Sequence, residues 1–410
     1  MRIAVVGGGA AGVFAAIACG EACPSAEVMI CEATDHPLAK VRVSGGGRCN
    51  VTHACFEPAE LVRNYPRGSR ELLGPFHRFG PRETFGWFSG RGVELKTEED
   101  GRVFPSTDDS RTIVDCLREA AYRAGVRLRT RCGALSLSGR RGEFALKLTT
   151  GETAAADRVL IATGGNKGSA GLEMAAALGH AIVPPVPSLF TFHIDDPRLK
   201  GLEGLSSPLA ETRVRGTGLA ASGPILITHW GLSGPSVLRL SAWGAREMHD
   251  AGYRFTLGVN WAAPRTTDQA EEALAAERSV HPRRRVAAVN PFGLPVRLWE
   301  RLCEAAAVPA EAVWAGVSKT ALRALAMQTA AGDFPVTGKS MNKEEFVTCG
   351  GVRLNQVDFA TMESRICPGL HFAGEVLDID GVTGGFNFQA AWTTGWHAGR
   401  AMAADAKAMR

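Results

Sequence analysis

Six residues near the start of the chain, Gly7-Gly8-Gly9-Ala10-Ala11-Gly12, constrain its fold more than any other feature. They follow Ile3–Val6 (IAVV), a continuous apolar run of the kind a strand buried on both faces requires. They lead into Ala11–Cys19, which has strong helix character, and then into a second apolar run, Glu27–Cys31 (EVMIC), closed by Glu32. Strand, glycine turn, helix, strand and acid in that order predict a βαβ unit that holds a dinucleotide. Gly7 allows the tight turn, Gly9 lets a pyrophosphate approach the backbone, and Gly12 lets the helix pack close to the strand. The free N–H groups and the positive end of the helix face the phosphates. Glu32 lies 20 residues after Gly12, where a carboxylate accepts hydrogen bonds from ribose hydroxyls. An acid there, rather than an arginine, favours FAD or NAD over NADP.

The apolar stretch from Ile3 to Gly20 after a charged Arg2 imitates a signal peptide or a short membrane span, but its glycines would break such a helix. The ten cysteines form no CxxC and no Cys/His cluster of zinc spacing, a usage that suits a reducing cytoplasm and gives no metal site. A soluble cytoplasmic protein is therefore expected. Basic and acidic residues number 46 and 42, a net +4, which argues against a large phosphate footprint on nucleic acid. Arg283–Arg285 reads as a solvated loop, and Arg127, Arg129 and Arg131 read as the outward face of a strand whose Val126 and Leu128 face in.

Three later segments select FAD. In Ser44-Gly45-Gly46-Gly47-Arg48-Cys49-Asn50, successive glycines free the backbone to press on a flat or charged ligand, and Arg48 can pair with a phosphate or a substrate carboxylate. Arg158–Ala162 (RVLIA) runs into Thr163-Gly164-Gly165, a turn like the one that passes close to the cofactor in two-dinucleotide-type flavoproteins. Leu370–Ala373 (LHFA) is followed by Gly374-Glu375, by Asp380, by Gly385-Phe386-Asn387, and by a helix from about Phe388. Glu375 can bind ribitol hydroxyls, and the start of the last helix can stabilise negative charge on a reduced flavin. The expected cofactor contacts are Gly7, Gly9, Ala10, Ala11, Gly12, Glu32 and Ala33 at the first turn, with Lys40, Ser44, Gly45, Gly46, Arg48, Cys49 and Asn50 around the second. Thr163, Gly164, Gly165, Gly374, Glu375, Asp380, Gly385, Phe386, Asn387, Phe388 and Gln389 complete them. Glycine supplies 48 of the 410 residues, against an average usage of about 7 %. Fifteen of these fall in clusters at 7–12, 45–47, 164–171 and 374–385, each placed to follow a strand near one cofactor.

SGGGRCNVT (Ser44–Thr52), THWGLSGP (Thr228–Pro235) and CGGV…TMES…PGLHFAGEVLDIDGVTGGFNFQAAWTTG (Cys349–Gly395) together resemble the BaiN/YhiN-like flavoproteins, bacterial NAD(P)/FAD-dependent oxidoreductases. The resemblance covers nearly the whole chain. It implies a bound, non-covalent FAD, a β-barrel-like second domain and a small helical insertion. The family loop usually continues as Thr-Asn, where this chain has Thr52-His53.

The middle of the chain fits that plan. Phe190, Phe192 and Ile194 face one way, and Tyr253, Phe255, Leu257, Val259 and Trp261 alternate with polar residues or glycine, the mark of strands with one buried face. From Thr267 to about Ala331 the period becomes helical, with Val296, Trp299, Leu302, Cys303 and Ala306 on one face, and with Leu322, Leu325 and Ala326 buried by a second helix. The expected fold is α/β: a Rossmann-like FAD-binding domain in residues 1–187 and 351–410. A β-barrel-like antiparallel domain occupies 188–261 and 333–350, and a helical insertion occupies 262–332. TGKS at Thr337–Ser340 is no P-loop, because Asp333 stands where GxxxxGK[ST] needs glycine.

The expected chemistry is that of an FAD-dependent oxidoreductase. NAD(P)H, bound transiently because only one dinucleotide fingerprint is complete, reduces the flavin. Hydride then passes from N5 to an unsaturated small molecule at the FAD–barrel interface. The alternatives are an oxidase of a small amine with oxygen as acceptor, and a flavin-binding or nucleic-acid-modification protein. No catalytic group is assigned; Arg48, Cys49, His53, His229 and Lys343 are the candidates, with Cys49 better explained by packing. The oligomeric state is not readable from the sequence.

Overall fold

The computed structural model describes residues 1–165, 169–340 and 347–408. Gly168, Met341, Asn342, Lys343 and Phe346 lie outside the described residues. The chain divides into two units, Met1–Pro187 with Lys343–Arg410, and Ser188–Asn342.

The first unit is built on β1 (Arg2–Val6). β2 (Glu27–Cys31) and the strand Arg158–Ile161 flank it in parallel, so Val6 pairs with both Cys31 and Ile161. Leu370–Phe372 adds in parallel beyond Arg158–Ile161, returning the C-terminal part of the chain to the sheet that its start began. Val357–Asp358 and Glu363–Ser364 extend that side, and Arg127–Arg129 forms the other edge, giving seven strands. The apolar run of β1 is buried because helices cover both faces of such a sheet. α1 (Ala10–Ala22) has every residue from Ala11 to Gly20 buried, as a helix covered on all sides must. Its second cover is the last helix, Phe386–Ala408. A Cβ on Gly395 or Gly399 would stand 2.6 Å from the Ala11 carbonyl oxygen or 2.2 Å from that of Ala15. Two glycines one helical turn apart therefore let these helices touch backbone to backbone.

Two expectations in this unit need correction. Leu128 is 37 % exposed rather than inward, because Arg127–Arg129 is the outermost strand of the sheet. Val347–Val352, assigned to the return of the barrel, is buried throughout and pairs with Ile182–Ser188. It also bridges to Leu377 through Val352, so the stretch 347–350 belongs to the first unit.

The second unit is a seven-stranded antiparallel sheet. Its order is Gly332–Val336, Phe255–Asn260, Ser206–Val214, Ala220–Thr228, Gly231–Ser233, Thr191–His193, Gly338–Ser340. The two outermost strands are separated in sequence by Thr337 alone, which brings the two ends of the sheet close together at that residue. The TGKS stretch contributes one of those edge strands. The helices Thr267–Val280, Val296–Ala305 and Lys319–Ala330 share one core with the sheet, where Trp299, Leu302 and Leu325 are buried with Leu257 and Val259. Val296 is 64 % exposed, and Leu298 takes the inward place expected of it. Val296 is the first residue of its helix, and the apolar face begins at Leu298.

Candidate functional site

The glycine turn after β1 is shaped by three different constraints. Gly7 has φ +110°, and a Cβ there would lie 2.5 Å from the Ala162 carbonyl oxygen. A Cβ on Gly12 would lie 2.0 Å from the Gly7 carbonyl oxygen, so this glycine brings helix and strand together. Gly9 is different: a Cβ there would meet nothing within 4 Å. Gly9 is also the N-cap of α1, where no side chain caps the helix and the first turn carries no acid. The positive end of α1 therefore opens onto free space, the arrangement that accepts an anionic pyrophosphate. Ala10 and Ala11 begin the helix at that opening.

Glu32 leaves the end of β2 and turns back to this loop. Its Oε2 accepts from the Gly8 N–H at 2.7 Å, and its Oε1 accepts from the Thr34 N–H at 2.8 Å and the Thr34 hydroxyl at 2.7 Å. A carboxylate has about four acceptor positions, so the fixed Glu32 keeps capacity for a ribose hydroxyl. Ala33 packs beside Gly133, on which a Cβ would come within 2.9 Å of the Ala33 methyl.

α2 (Ala39–Gly47) loses helical geometry at Ser44, Gly45 and Gly46, so its end is the glycine loop expected. Gly45, Gly46 and Gly47 hold φ of +59°, +68° and +85°. Gly45 packs over Phe104, while Gly46 and Gly47 have open space where a Cβ would be. Ser44 caps the turn locally, its hydroxyl donating to the Val41 carbonyl at 3.1 Å. Lys40, at the start of α2, reaches the Glu375 carboxylate at 2.6 Å. Arg48 donates to Glu98 at 2.7 Å and lies 3.9 Å above the Phe104 ring, so its charge is held by protein acids. Cys49 is fully buried, and burial pushes its thiol up to about 12, far from the pKa of a working thiolate. Asn50, with its amide oriented to satisfy both groups, donates to the Thr52 carbonyl and accepts from the Gly385 N–H, each at 3.0 Å.

The C-terminal segments converge on the same place. A Cβ on Gly164 would come 4.0 Å from Glu375 Oε2, and one on Gly165 would come 2.6 Å from the Glu375 carbonyl oxygen. The Thr163-Gly164-Gly165 turn, Lys40 and Glu375 are thus neighbours. Gly374 is tied to the last helix by its N–H, which donates to the Thr394 hydroxyl at 2.9 Å.

Three expected contacts have other work. Asp380 is fully buried against Arg67. Asn387 bonds the Gly381 N–H at 2.8 Å and its carbonyl at 2.9 Å. Gln389, also fully buried, accepts from Thr52 at 2.6 Å and Thr84 at 3.0 Å and donates to Thr393 at 3.0 Å. With their polar groups engaged in this way, these side chains seat the start of the last helix. Phe386 stacks on His53 at 4.7 Å, its carbonyl accepts from the buried Tyr65 hydroxyl at 2.6 Å, and Phe388 stacks on Trp392 at 5.5 Å. Tyr65, Arg67 and Thr84 escaped the sequence reading, since no local motif marks them, and Thr52 stands in the SGGGRCNVT motif without a role assigned to it.

His53 lies with its Nε2 3.1 Å from the Asp100 carbonyl oxygen, beside the start of the last helix. His229 is exposed in the second unit, in a two-residue hairpin turn between the paired Thr228 and Gly231. Lys343 lies outside the described residues. Among the described residues no cluster of His, Cys, Asp and Glu is placed to hold a metal ion, and no helix is long and apolar enough to cross a membrane.

Comparison with known proteins adds five findings. The family model described as HI0933-like protein Rossmann domain matches residues 1–401. A ribosomal RNA dihydrouridine synthase of Escherichia coli K12 is 30 % identical over 407 residues, covering 96 % of this chain and 95 % of the relative. A 3-dehydro-bile acid delta(4,6)-reductase of Clostridium scindens is 29 % identical over 416 residues, covering 98 % and 99 %. Among solved structures, an E. coli quinol fumarate reductase chain aligns at a TM-score of 0.52 and 16 % identity, over 100 % of this chain and 71 % of that one. A 3-ketosteroid-delta4-(5alpha)-dehydrogenase of Rhodococcus jostii aligns at 0.51 and 17 %, over 98 % and 96 %. At such identities the structural likeness speaks for the fold alone. With its parallel sheet, its glycine turn and a family match across nearly its whole length, the chain belongs to the HI0933-like family, and its first unit is a Rossmann-type FAD-binding domain.

Proposed function

We propose that the chain is an FAD-dependent reductase that uses NADH or NADPH to saturate a carbon–carbon double bond conjugated to a carbonyl. The observation that carries the reading is the uncapped N-terminus of α1 at Gly9, opening onto free space next to the Glu32 carboxylate held on the Gly8 N–H. When bound, FAD supplies the hydride chemistry. The chain's own residues bind and orient. The N–H groups at the start of α1 take the pyrophosphate, Glu32 takes a ribose hydroxyl, and Lys40 adds a positive charge beside the phosphates. Glu375 offers its carboxylate to the hydroxylated chain of the cofactor. Arg48, pinned by Glu98 and Phe104, fixes the glycine loop in the shape that leaves Gly46 and Gly47 open. The network of Gln389, Thr52, Thr84 and Tyr65 holds the start of the last helix, whose positive end favours negative charge on a reduced ring.

The double bond as target is supported by the names of two relatives, a dihydrouridine synthase and a delta(4,6)-reductase, which describe the same event of adding two hydrogens to an unsaturated ring. A free unsaturated small molecule is the first reading of the substrate. A uridine in ribosomal RNA is the second, favoured by two relatives that carry that name. The near-even charge of the chain favours the small molecule. The test incubates FAD-loaded protein and NAD(P)H, without oxygen, with a 3-oxo-4,6-diene steroid or with a uridine-containing RNA, and weighs the product by mass spectrometry. A product heavier by two hydrogens supports the proposal and names the class. No change in either compound, with the protein fully loaded, contradicts it.

A further inference from the structure

Two thiols of the first unit lie against each other beside the dinucleotide turn. Cys31 closes β2, and Cys132 follows the strand Arg127–Arg129, where Cys31 sits opposite Arg129 in the parallel ladder. Past the ladder the two segments stay bonded. The Glu32 N–H donates to the Arg129 carbonyl at 2.9 Å, and the Cys132 N–H donates to the Glu32 carbonyl at 2.8 Å. Both cysteines are free and buried, and the Cys31 thiol is hydrogen-bonded to that of Cys132. The same residues hold the turn itself. The Cys31 carbonyl accepts from the Gly7 N–H at 2.9 Å, and the Glu32 carboxylate accepts from the Gly8 N–H at 2.7 Å. A movement of Cys31 therefore passes to Gly7 and Glu32 through direct bonds.

Burial pushes the Cys31 thiol up to about 12, with the Cys132 sulfur adding to the rise and the Arg129 guanidinium opposing it. A thiol so protonated reacts slowly while the fold is closed. The pair lies at the rim of the sheet, though. Arg127–Arg129 is a three-residue outermost strand, the kind of element that opens locally far more often than the whole fold. Opening there frees Cys132, and the partly exposed Arg129 stands on that side of the pair.

We infer that Cys31 and Cys132 form a reversible disulfide that weakens FAD binding at the turn, with a low-molecular-weight disulfide as the oxidant. In the opened edge the Cys132 thiolate attacks one sulfur of the small disulfide and expels one small thiolate. The Cys31 thiolate then attacks the Cys132 sulfur of this mixed disulfide and expels the second. Two protein thiols are oxidised, one small disulfide is reduced to two thiols, and the two protons end on those thiols. A sulfur–sulfur bond of about 2 Å is shorter than any contact between unbonded thiols, so closing it draws the end of β2 toward Cys132 and shifts Glu32 from its place on Gly8. The inference rests on FAD binding at this turn as proposed above, and not on the direction of the flavin chemistry.

The test incubates ligand-free full-length protein with oxidised glutathione and maps its peptides without reductant. Cleavage after glutamate leaves Cys31 in residues 28–32 and Cys132 in residues 120–143, each the single cysteine of its peptide. The expected product is these two peptides joined, two hydrogens lighter than their sum. Fluorescence titration of the cross-linked protein should show FAD affinity at least about fivefold weaker than that of the reduced protein, the low end of a coupling between sites, with dithiothreitol restoring it. Bound FAD should shift the disulfide equilibrium toward the thiols by the same factor. Cys132→Ser and Cys132→Ala should bind FAD within about twofold of the reduced wild type and ignore the oxidant. Failure of these two peptides to join, or a cross-linked protein whose FAD affinity stays within about twofold of the reduced form, overturns the inference. In that second case the FAD site still stands, whereas a reduced wild type that takes up no FAD overturns both.

Discussion

The ammonium of Lys40 lies 2.6 Å from the carboxylate of Glu375, joining residues 335 positions apart beside the dinucleotide turn. The pair bridges the start of α2 and the segment that follows Leu370–Phe372, so both halves of the FAD-binding unit meet at the site. Lys40 is 41 % exposed and Glu375 17 %, and a pair this wet contributes only about 0–1 kcal/mol to stability. Lys40→Met should therefore leave the melting temperature nearly unchanged. It should weaken FAD binding by roughly tenfold, the order expected when a charge-assisted contact is lost. Titration of the ligand-free protein with FAD, followed by flavin fluorescence, checks this.

Gly9 and Gly12 predict opposite failures. Gly9→Val introduces a side chain into open space, so the ligand-free protein should fold and melt as the wild type does while its FAD occupancy collapses. Gly12→Ala puts a methyl 2.0 Å from the Gly7 carbonyl oxygen, so it should cost fold stability itself, by about 1–3 kcal/mol for an overpacked contact. Thermal melts of the two ligand-free variants, set beside their FAD content after loading, separate the roles.

Cys49 should be inert. Its thiol is fully buried and pushed up to about 12, so iodoacetamide at neutral pH should leave it unmodified in the native protein. Cys49→Ser should retain turnover within about threefold, the modest effect of a near-isosteric buried change. Peptide mapping after alkylation and a steady-state assay read the two outcomes; a labelled Cys49 with lost turnover would make it a reactive thiol and contradict the packing role.

Much of this site was legible because its signals are local. The turn at Gly7–Gly12 and the loop at Gly45–Gly47 need glycine for reasons confined to a few residues, and Glu32 follows at a spacing set by one helix and one strand. Lys40 and Glu375 were each legible as site residues, but their pairing was not, because it depends on the C-terminal strand docking beside Arg158–Ile161. Gly395 and Gly399 had no local reading at all; their partners are carbonyls of α1. Their place in the segment after Leu370–Ala373 gives Asp380, Asn387 and Gln389 the look of ligand contacts, while Arg67, Gly381 and Thr84 claim them through contacts distant in sequence or hidden within the turn. The misplacement of Val347–Val352 has a similar origin. A wholly apolar strand carries no sign of which sheet it joins, and its pairing with Ile182–Ser188 decides the matter.

Acid should destabilise the protein from near pH 6.5 downward. His180 is buried, with its ring nitrogens 3.0 Å from the Ala175 carbonyl oxygen and 2.7 Å from the Ser364 hydroxyl, and burial holds its pKa below the ordinary 6.5. Burial does the same to His397, opposed in part by its contacts with the Ala360 and Pro75 carbonyls. A lowered folded pKa means that the unfolded chain binds the proton first. The contribution is complete above about pH 6.5 and is lost as the pH falls from there toward the folded values. Asp157 and Asp196, where burial is outweighed by hydrogen bonds from Arg2 and Arg198, are held below the ordinary 3.8, so their contribution begins to be lost at a lower pH than that of the histidines. Melting temperatures should be level above pH 7 and decline toward pH 5, with a shallower decline in His180→Asn.

The central claim, a nicotinamide-driven flavin reductase, is tested most directly by anaerobic stopped-flow absorbance of the FAD-loaded protein. The account predicts that NADH or NADPH bleaches the visible flavin band and that an unsaturated acceptor then restores it in the absence of oxygen. A flavin that stays yellow with both nicotinamides, or that bleaches only with small amines, would contradict it.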